Sequence, residues 1–297
     1  MCVKNKVDFV AFSFVRRPAD ILELRKMLEG AKTSAKIIAK VEDTEGLENI
    51  DEIIKLVDGV MVARGDMAIE IGAENVPMVQ KSIIKKCNEL GKIVITATHM
   101  LESMIKSPVP TRAEVSDIAN AILDGTDAIM LSEETTLGDF PVEAVKVMTK
   151  VANKIETDPL YKKGILEMQK LKHEHIGKGT SDAMTNEAVD IANAVDAKLI
   201  IALTNSGFTA RMISRYKPLQ PLLGFTPNAV TAKQLLFSFG CAPVFIEKFK
   251  TLEEVLKVIK AHCVKEKFAN KGDKVVVVAG LPFGKKIDTN TVLVETL

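Results

Sequence analysis

The chain lacks the features that mark secreted, membrane-spanning or nucleic-acid-binding proteins. Its four cysteines lie far apart in 297 residues and form no CxxC pair, so we expect reduced thiols in the cytoplasm and no disulfide framework. No apolar run approaches the ~18 residues that a membrane span needs. The 40 basic and 39 acidic residues leave a net charge of +1, which provides no field for nucleic acid or an anionic bilayer. Any anion must therefore be bound locally, by a few groups.

Familiar cofactor and hydrolase motifs are absent as well. The sequence contains neither GxGxxG nor GxxxxGK(S/T), so neither a dinucleotide-binding fold nor a P-loop is indicated. It also contains neither HExxH nor GxSxG, which mark zinc proteases and serine hydrolases. Most of the common cofactor-dependent and hydrolytic classes are thereby excluded.

What the chain does have is a regular alternation of apolar, strand-like runs with amphipathic helical stretches. The first five runs occupy residues 7–15, 35–41, 59–63, 92–98 and 127–132. Strands alternating with helices at roughly 30-residue intervals predict a parallel sheet. A lysine-rich connector follows, in which we interpret His173 and His175 as solvated residues, and then a second α/β pattern begins. We therefore predict two domains, with the boundary at this connector.

Two of the strand-like runs turn polar where the strand should end. Lys40 and Glu42 are two residues apart, so on a strand their side chains leave the same face. Arg64, Gly65 and Asp66 follow the next run along the chain. The ends of these strands should lie at one edge of the sheet, which we call the mouth. One ammonium and two carboxylates at the mouth suit the binding of a divalent cation and the stabilisation of a developing oxyanion. The alternatives are a surface salt-bridge network and, for Asp66, a helix cap.

Three further positions have two interpretations each. Thr98 closes the fourth run and either offers a hydroxyl to the same mouth or caps a helix. Thr111 and Glu114 fit a capping box ahead of a helix. Arg112, between them, either binds substrate or pairs across a subunit interface, and we favour the interface.

The second domain contains a hydroxyl-rich loop between a strand and a helix, which is either a phosphate cradle or an ordinary capped helix start. The loop residues are Thr204, Asn205, Ser206, Gly207 and Thr209. A later loop carries Lys285 and Lys286, which could close over a bound phosphate.

The order of several strings resembles the pyruvate kinase family from near residue 7 to the end. The strings are SFVR, KVEDTEGLENIDEI, MVARGD, ATHMLESMI, PTRAEVSDIANAILDGTDAIMLS and LTNSGFTAR. The resemblance implies an α/β fold in which residues 1–155 form about five β/α units of an incomplete (β/α)8 TIM-type barrel. Residues 156–297 would be the smaller regulatory α/β sandwich domain.

The resemblance also implies roles for the polar residues. Glu42 and Asp66 would bind Mg²⁺ or Mn²⁺, and Lys40 would neutralise the transferring phosphoryl group and the enolate. The turn that binds phosphoenolpyruvate would consist of Ala63, Arg64, Gly65 and Asp66, with Thr98 beside the carbon that gains a proton. Ser132 and Glu134 would lie near the proton route, and the loop of Thr204, Asn205, Ser206, Gly207 and Thr209 would hold an effector phosphate.

The family reaction is phosphoryl transfer from phosphoenolpyruvate to ADP, the last step of glycolysis, giving pyruvate and ATP. The family's first three barrel strands and lid domain, with its ATP-phosphate and K⁺ ligands, have no counterpart here, so we expect little activity from this polypeptide alone.

His99 and Glu133 stand where the family usually has glutamine and glycine. We expect a homo-oligomer or pairing with an amino-terminal half. Alternatives are metal-dependent enolate chemistry, such as oxaloacetate decarboxylation, and a non-catalytic split or truncated regulatory module.

Overall fold

The computed structural model describes residues 4–172, 179–249, 251–283 and 287–297. Cys2, His173, His175, Lys285 and Lys286 lie outside these residues. The chain divides into two compact units, Met1–Glu167 and Met168–Leu297. The domain boundary after residue 155 stays a prediction. Within the described residues, no helix combines the length and the apolar character needed to cross a membrane.

Unit 1 alternates strands with helices, as the spacing of apolar runs predicts. Its strands are β1 (Phe9–Phe12), β2 (Lys36–Val41), β3 (Gly59–Ala63), β4 (Ile93–Ala97) and the two-residue β5 (Ala128–Ile129). Its helices are α1 (Pro18–Gly30), α2 (Thr44–Glu48), α3 (Ile50–Leu56), α4 (Arg64–Ile71), α5 (Val76–Glu89), α6 (Arg112–Asp124), α7 (Glu133–Thr136) and α8 (Pro141–Glu156), followed by α9 (Pro159–Lys172), which spans the boundary between the units. A 3₁₀ turn covers Glu102–Ile105.

The five strands of unit 1 form one parallel sheet in the order of the sequence, β1-β2-β3-β4-β5. Alternate side chains enter two different apolar layers. Ile37, Val60 and Val94 pack with the helices on one face, whereas Ile38 and Met61 form a second cluster on the other face. Because all the strands run the same way, their carboxyl ends meet at one edge, where the predicted polar residues lie. Within the described residues β1 and β5 are the outer strands, so these five strands form an open sheet.

Unit 2 is a three-layer α/β sandwich. Its strands are β6 (Leu199–Leu203), β7 (Leu222–Thr226), β8 (Cys241–Phe245), β9 (Lys274–Ala279) and β10 (Thr291–Thr296), and its helices are α10 (Thr180–Ala194), α11 (Phe208–Ser214), α12 (Ala229–Leu235) and α13 (Leu252–Lys265). The strand order is β10-β9-β6-β7-β8, with β10 antiparallel to β9 and the other pairs parallel. One face packs with α13 and the other with α10 and α11. The predicted α/β class is therefore confirmed for both units.

Helix α6 begins at the predicted capping box. The Glu114 backbone N–H donates to Thr111 Oγ1 at 3.2 Å, and the Glu114 carboxylate accepts the Thr111 N–H at 2.7 Å. The same carboxylate accepts the backbone N–H of Ser103 at 2.7 Å and its hydroxyl at 2.6 Å. Burial opposes the charged form, but the hydrogen bonds from Ser103 and then Thr111 outweigh it and lower the pKa of Glu114 below its ordinary value of 4.5. Glu114 thus ties the loop after β4 to the start of α6.

Replacing Glu114 with glutamine should weaken the fold most at neutral pH. A lowered pKa contributes stability that is present above the unfolded pKa and is lost as the pH falls through the folded pKa. After allowance for solvent screening of this partly buried group, we expect a loss of about 1 kcal/mol at pH 7. Urea unfolding at pH 7 and pH 3 measures it, with Glu143→Gln on the exposed surface of α8 as the control. A deficit that is equal at both pH values would contradict the assignment.

Candidate active site

Lys40 and Glu42 lie together at the carboxyl edge of the unit 1 sheet. Lys40 Nζ is 2.7 Å from Glu42 Oε1 and donates a hydrogen bond to Ser13 Oγ at 3.0 Å. The other carboxylate oxygen, Glu42 Oε2, accepts the backbone N–H of Phe14 at 2.7 Å. The ends of β1 and β2 are therefore joined by one polar cluster. The predicted common face for Lys40 and Glu42 is confirmed by their ion pair.

This ion pair is not an ordinary surface salt bridge. The Glu42 side chain is 1% exposed, whereas that of Lys40 is 26% exposed. Burial of a carboxylate is costly unless it is paired and hydrogen-bonded, and Lys40 and the Phe14 N–H provide both interactions. Lys40 retains one N–H beyond these two contacts, because an ammonium has three donors. The cluster can therefore present positive charge toward the mouth while Glu42 fixes its position.

Sequence reasoning missed Ser13 and Phe14. Phe14 has a φ of +53°, in the left-handed region that non-glycine residues rarely occupy, and its side chain is 57% exposed. This turn aims the Phe14 N–H at Glu42. The string SFVR was part of the family resemblance, but nothing in its composition indicates a carboxylate partner 28 residues away.

The turn from β3 into α4 contains Ala63, Gly65 and Asp66. Ala63 is the N-cap residue, so the N–H groups of the next residues form the free amino end of α4, a place that favours anions. Asp66 is exposed, and no side chain pairs with it within the part of the chain that the structure describes. Asp66 is thus available as a ligand, and no side-chain cap of α4 is present among the described residues.

Thr98 reaches the same turn from the end of β4. A Cβ atom added to Gly65 would lie 2.9 Å from Thr98 Cγ2, so the Thr98 side chain rests directly on Gly65. Thr98 and His99 have φ values of +74° and +54°. For a β-branched threonine this is a true outlier, and such strain costs roughly 1–3 kcal/mol per residue. The surrounding structure therefore holds Thr98 against its own preference.

The side chain of Arg64 turns away from the mouth. Its N–H groups reach five protein acceptors: Ala97 O at 3.1 Å, Thr98 O at 2.7 Å, Met100 Sδ at 2.8 Å, Gln80 Oε1 at 3.4 Å and Asp117 Oδ1 at 2.7 Å. A guanidinium has five donors, so all of them are engaged. The Arg64 side chain is thus fully occupied by protein acceptors, and the place of Arg64 in the substrate-binding turn stays a prediction.

Ser132 and Glu134 follow β5, Ser132 as the N-cap residue of the short helix α7 and Glu134 within that helix. Glu134 is 2% exposed, and its two oxygens accept the backbone N–H groups of Leu101 at 3.1 Å and Ser132 at 2.6 Å. This carboxylate therefore joins the loop after β4 to the turn that carries Ser132. Their role in a proton route stays a prediction.

Two carboxylates at this edge of the sheet could bind a metal. Glu42 directly follows β2, and Asp66 lies in the first turn of α4, which follows the neighbouring strand β3. The described residues contain no group of three or more His, Cys, Asp or Glu side chains that could hold a metal by themselves. Mg²⁺ commonly uses one or two carboxylates and completes its octahedron with water and substrate oxygens. The donor set fits a cation of that kind, held jointly with an anionic substrate.

The hydroxyl-rich loop of unit 2 borders a cleft of about 610 Å³. Thr204, Asn205, Ser206 and Thr209 line it, together with Lys248. Gly207, at φ +81°, donates its N–H to Thr204 Oγ1 at 2.9 Å, which folds the loop back on itself. The structure thus brings the predicted loop to a cleft, while its effector role stays a prediction.

Comparisons with known proteins agree with this architecture. The family model for the pyruvate kinase barrel domain matches residues 1–145, and the model for the pyruvate kinase alpha/beta domain matches residues 182–295. Pyruvate kinase of Staphylococcus epidermidis is 46% identical over 288 residues, which are 97% of this chain and 48% of that protein. Pyruvate kinase of Clostridium acetobutylicum is 44% identical over 295 residues, covering 99% of this chain and 62% of that protein.

A solved structure gives the same result. The crystal structure of a pyruvate kinase from Cryptosporidium parvum aligns with 100% of this chain and 60% of that chain, at 37% sequence identity and a TM-score of 0.92. This chain therefore spans between 48% and 62% of the length of these relatives. By its two matched domains, its sequence identity and its fold, the chain belongs to the pyruvate kinase family.

Proposed function

We propose that this chain carries the metal and phosphoenolpyruvate half of a pyruvate kinase site, for phosphoryl transfer from phosphoenolpyruvate to ADP. The observation that carries the proposal is the Lys40–Glu42 ion pair beside the amino end of α4. Phosphoryl transfer depends on positioning and on positive charge more than on covalent chemistry, and these residues supply both.

Each side chain has a definite task in this proposal. Glu42 and Asp66 hold the divalent cation, which neutralises charge on the substrate oxygens when bound. Lys40 donates its remaining N–H to the phosphoryl group and to the enolate left behind. The N–H groups of Gly65 and Asp66 bind the substrate carboxylate at the amino end of α4. Thr98, resting on Gly65, adds a hydroxyl beside the carbon that gains a proton.

The residues assigned so far bind the metal and phosphoenolpyruvate. The binding of ADP and of K⁺, which the family uses, requires further residues. Within the described residues, no strand lies along the second edge of the outer strand β1, opposite β2. We propose that this edge takes further strands of a complete barrel, from an amino-terminal half, or lies at an interface in a homo-oligomer. In unit 2, the cleft with its hydroxyl-rich loop and Lys248 would bind an effector phosphate.

The experiment that tests this function is calorimetric titration of phosphoenolpyruvate into the chain with and without Mg²⁺. We expect binding that requires Mg²⁺, and at least about tenfold weaker binding for Lys40→Met, because a charge-assisted hydrogen bond to phosphate is lost. Lys26→Met, which removes the same charge from the exposed face of α1, serves as the matched control. Absence of Mg²⁺-dependent binding, or equal weakening by both variants, would refute the proposal.

A further inference from the structure

We propose that Arg64 is a positioning residue that holds Thr98 in its strained conformation over the amino end of α4. The inference rests on the proposed function, because it assigns Thr98 to the binding of the substrate. It differs from the expectation drawn from the sequence, in which Arg64 itself contacts the substrate.

The first argument is where the Arg64 hydrogen bonds go. Two of them end on consecutive backbone carbonyls, Ala97 O through Nε and Thr98 O through Nη2. These carbonyls flank the point at which β4 stops and the backbone enters the left-handed region. Arg64 therefore binds the very peptide groups whose orientation defines the turn.

The second argument is that the turn needs such support. Thr98 and His99 are consecutive residues with positive φ, and neither is glycine. A strained backbone of this kind persists only where its surroundings over-determine it. The Arg64 side chain is 12% exposed, so little water competes for these carbonyls, and the two hydrogen bonds are correspondingly strong.

The third argument is that Arg64 is itself held firmly. Its Nη1 donates to Asp117 Oδ1 of α6 at 2.7 Å and to Gln80 Oε1 of α5 at 3.4 Å. The guanidinium thus connects α5 and α6 to the end of β4 by hydrogen bonds, so the end of β4 is fixed relative to these two helices. A lysine has one nitrogen and cannot span these acceptors, because they surround a planar fork.

The consequence for the site follows from the neighbour of Arg64. Gly65 lies directly under the Thr98 methyl group, so a rotation of Thr98 out of its present backbone conformation would break this contact and move the Thr98 side chain relative to the amino end of α4. Thr98 is therefore held from two sides: Arg64 binds the Thr98 carbonyl, and Gly65 contacts the Thr98 side chain.

A double-mutant cycle tests this coupling through Mg²⁺-dependent binding of oxalate, a planar dianion that resembles the enolate of pyruvate. We expect Arg64→Met and Thr98→Ala each to weaken binding about tenfold, and the double variant to weaken it by about the same factor, because both act through one hydroxyl. Arg64→Lys should fail to restore binding. Additive losses of about a hundredfold in the double variant, or restoration by lysine, would show that Arg64 acts independently as a charged ligand.

Hydrogen exchange separates this inference from the proposed function. The Leu101 N–H, which donates to Glu134, reports on the loop that follows Thr98. We expect at least about tenfold faster exchange there in Arg64→Met, and no change in Arg25→Met, which removes a guanidinium bound to another backbone carbonyl, Leu56 O. If wild-type chain binds no oxalate, the proposed function fails and exchange still decides the role of Arg64. Unchanged exchange in Arg64→Met would overturn the positioning role.

Discussion

Replacing Glu42 with glutamine should weaken Mg²⁺-dependent binding of phosphoenolpyruvate at least about 100-fold, more than any other single change at the site. The carboxylate accepts from two donors, Lys40 Nζ and the Phe14 N–H, and it is 1% exposed. A glutamine has one acceptor oxygen, so its amide group would face one of these donors with a donor of its own. The variant loses a metal ligand and also the anchor of Lys40.

The same substitution should lower the free energy of unfolding by about 1–3 kcal/mol, because a buried donor is left without an acceptor. Binding is therefore measured by calorimetry well below the unfolding transition, which thermal denaturation locates. Glu45→Gln is the control, since Glu45 also pairs with a basic side chain, that of Arg17 at 2.5 Å, but is 37% exposed. Wild-type affinity in Glu42→Gln, or an equal loss in Glu45→Gln, would remove Glu42 from the proposed metal site.

Much of the fold follows from the sequence because apolar periodicity is a local property. The run at 59–63 is β3 as observed, and the run at 35–41 differs from β2 by a single residue. Lys40 follows the same alternation as Ile38, so its direction could be read from its position. The run at 127–132 contains only the two-residue β5, because its later residues turn to form the loop that Glu134 holds.

The parts that could not be predicted depend on partners distant in sequence. Arg64 reads as a site residue by position, yet its side chain turns to carbonyls 33 and 34 residues later. Phe14 and Thr98 adopt positive φ values that no local pattern of threonine or phenylalanine indicates. Strained backbone of this kind is fixed by tertiary contacts and concentrates at functional sites. Local sequence propensity therefore does not predict the backbone conformation at the residues of the site.

The second large effect should come from Gly59, at the start of β3, and it concerns stability. A Cβ added there would lie 2.7 Å from Ile38 Cδ1, 2.8 Å from Ile93 Cβ and 2.8 Å from Ile93 O. Ile38 and Ile93 are the register partners of Gly59 on the two adjacent strands. The Ile93 atoms belong to the frame of β4 and cannot yield without moving that strand. We expect Gly59→Ala to lower the free energy of unfolding by about 3 kcal/mol, since overpacking forces backbone shifts.

Urea unfolding measures this effect, and Gly30→Ala is the matched control because it adds the same methyl group. Nothing lies within 4 Å of a Cβ at Gly30, at the exposed end of α1, so the free energy of unfolding of the control should rise by up to about 1 kcal/mol from reduced backbone freedom.

The other end of β3 leads into Gly65 and Asp66, and Lys40 is the register partner of Met61 in between. A shift of β3 that relieves the contact at Gly59 would therefore also displace the amino end of α4 from Glu42, and Gly59→Ala should bind phosphoenolpyruvate more weakly although it lies far from the mouth. Equal unfolding midpoints for the two variants would show that the three central strands are not packed as closely as described.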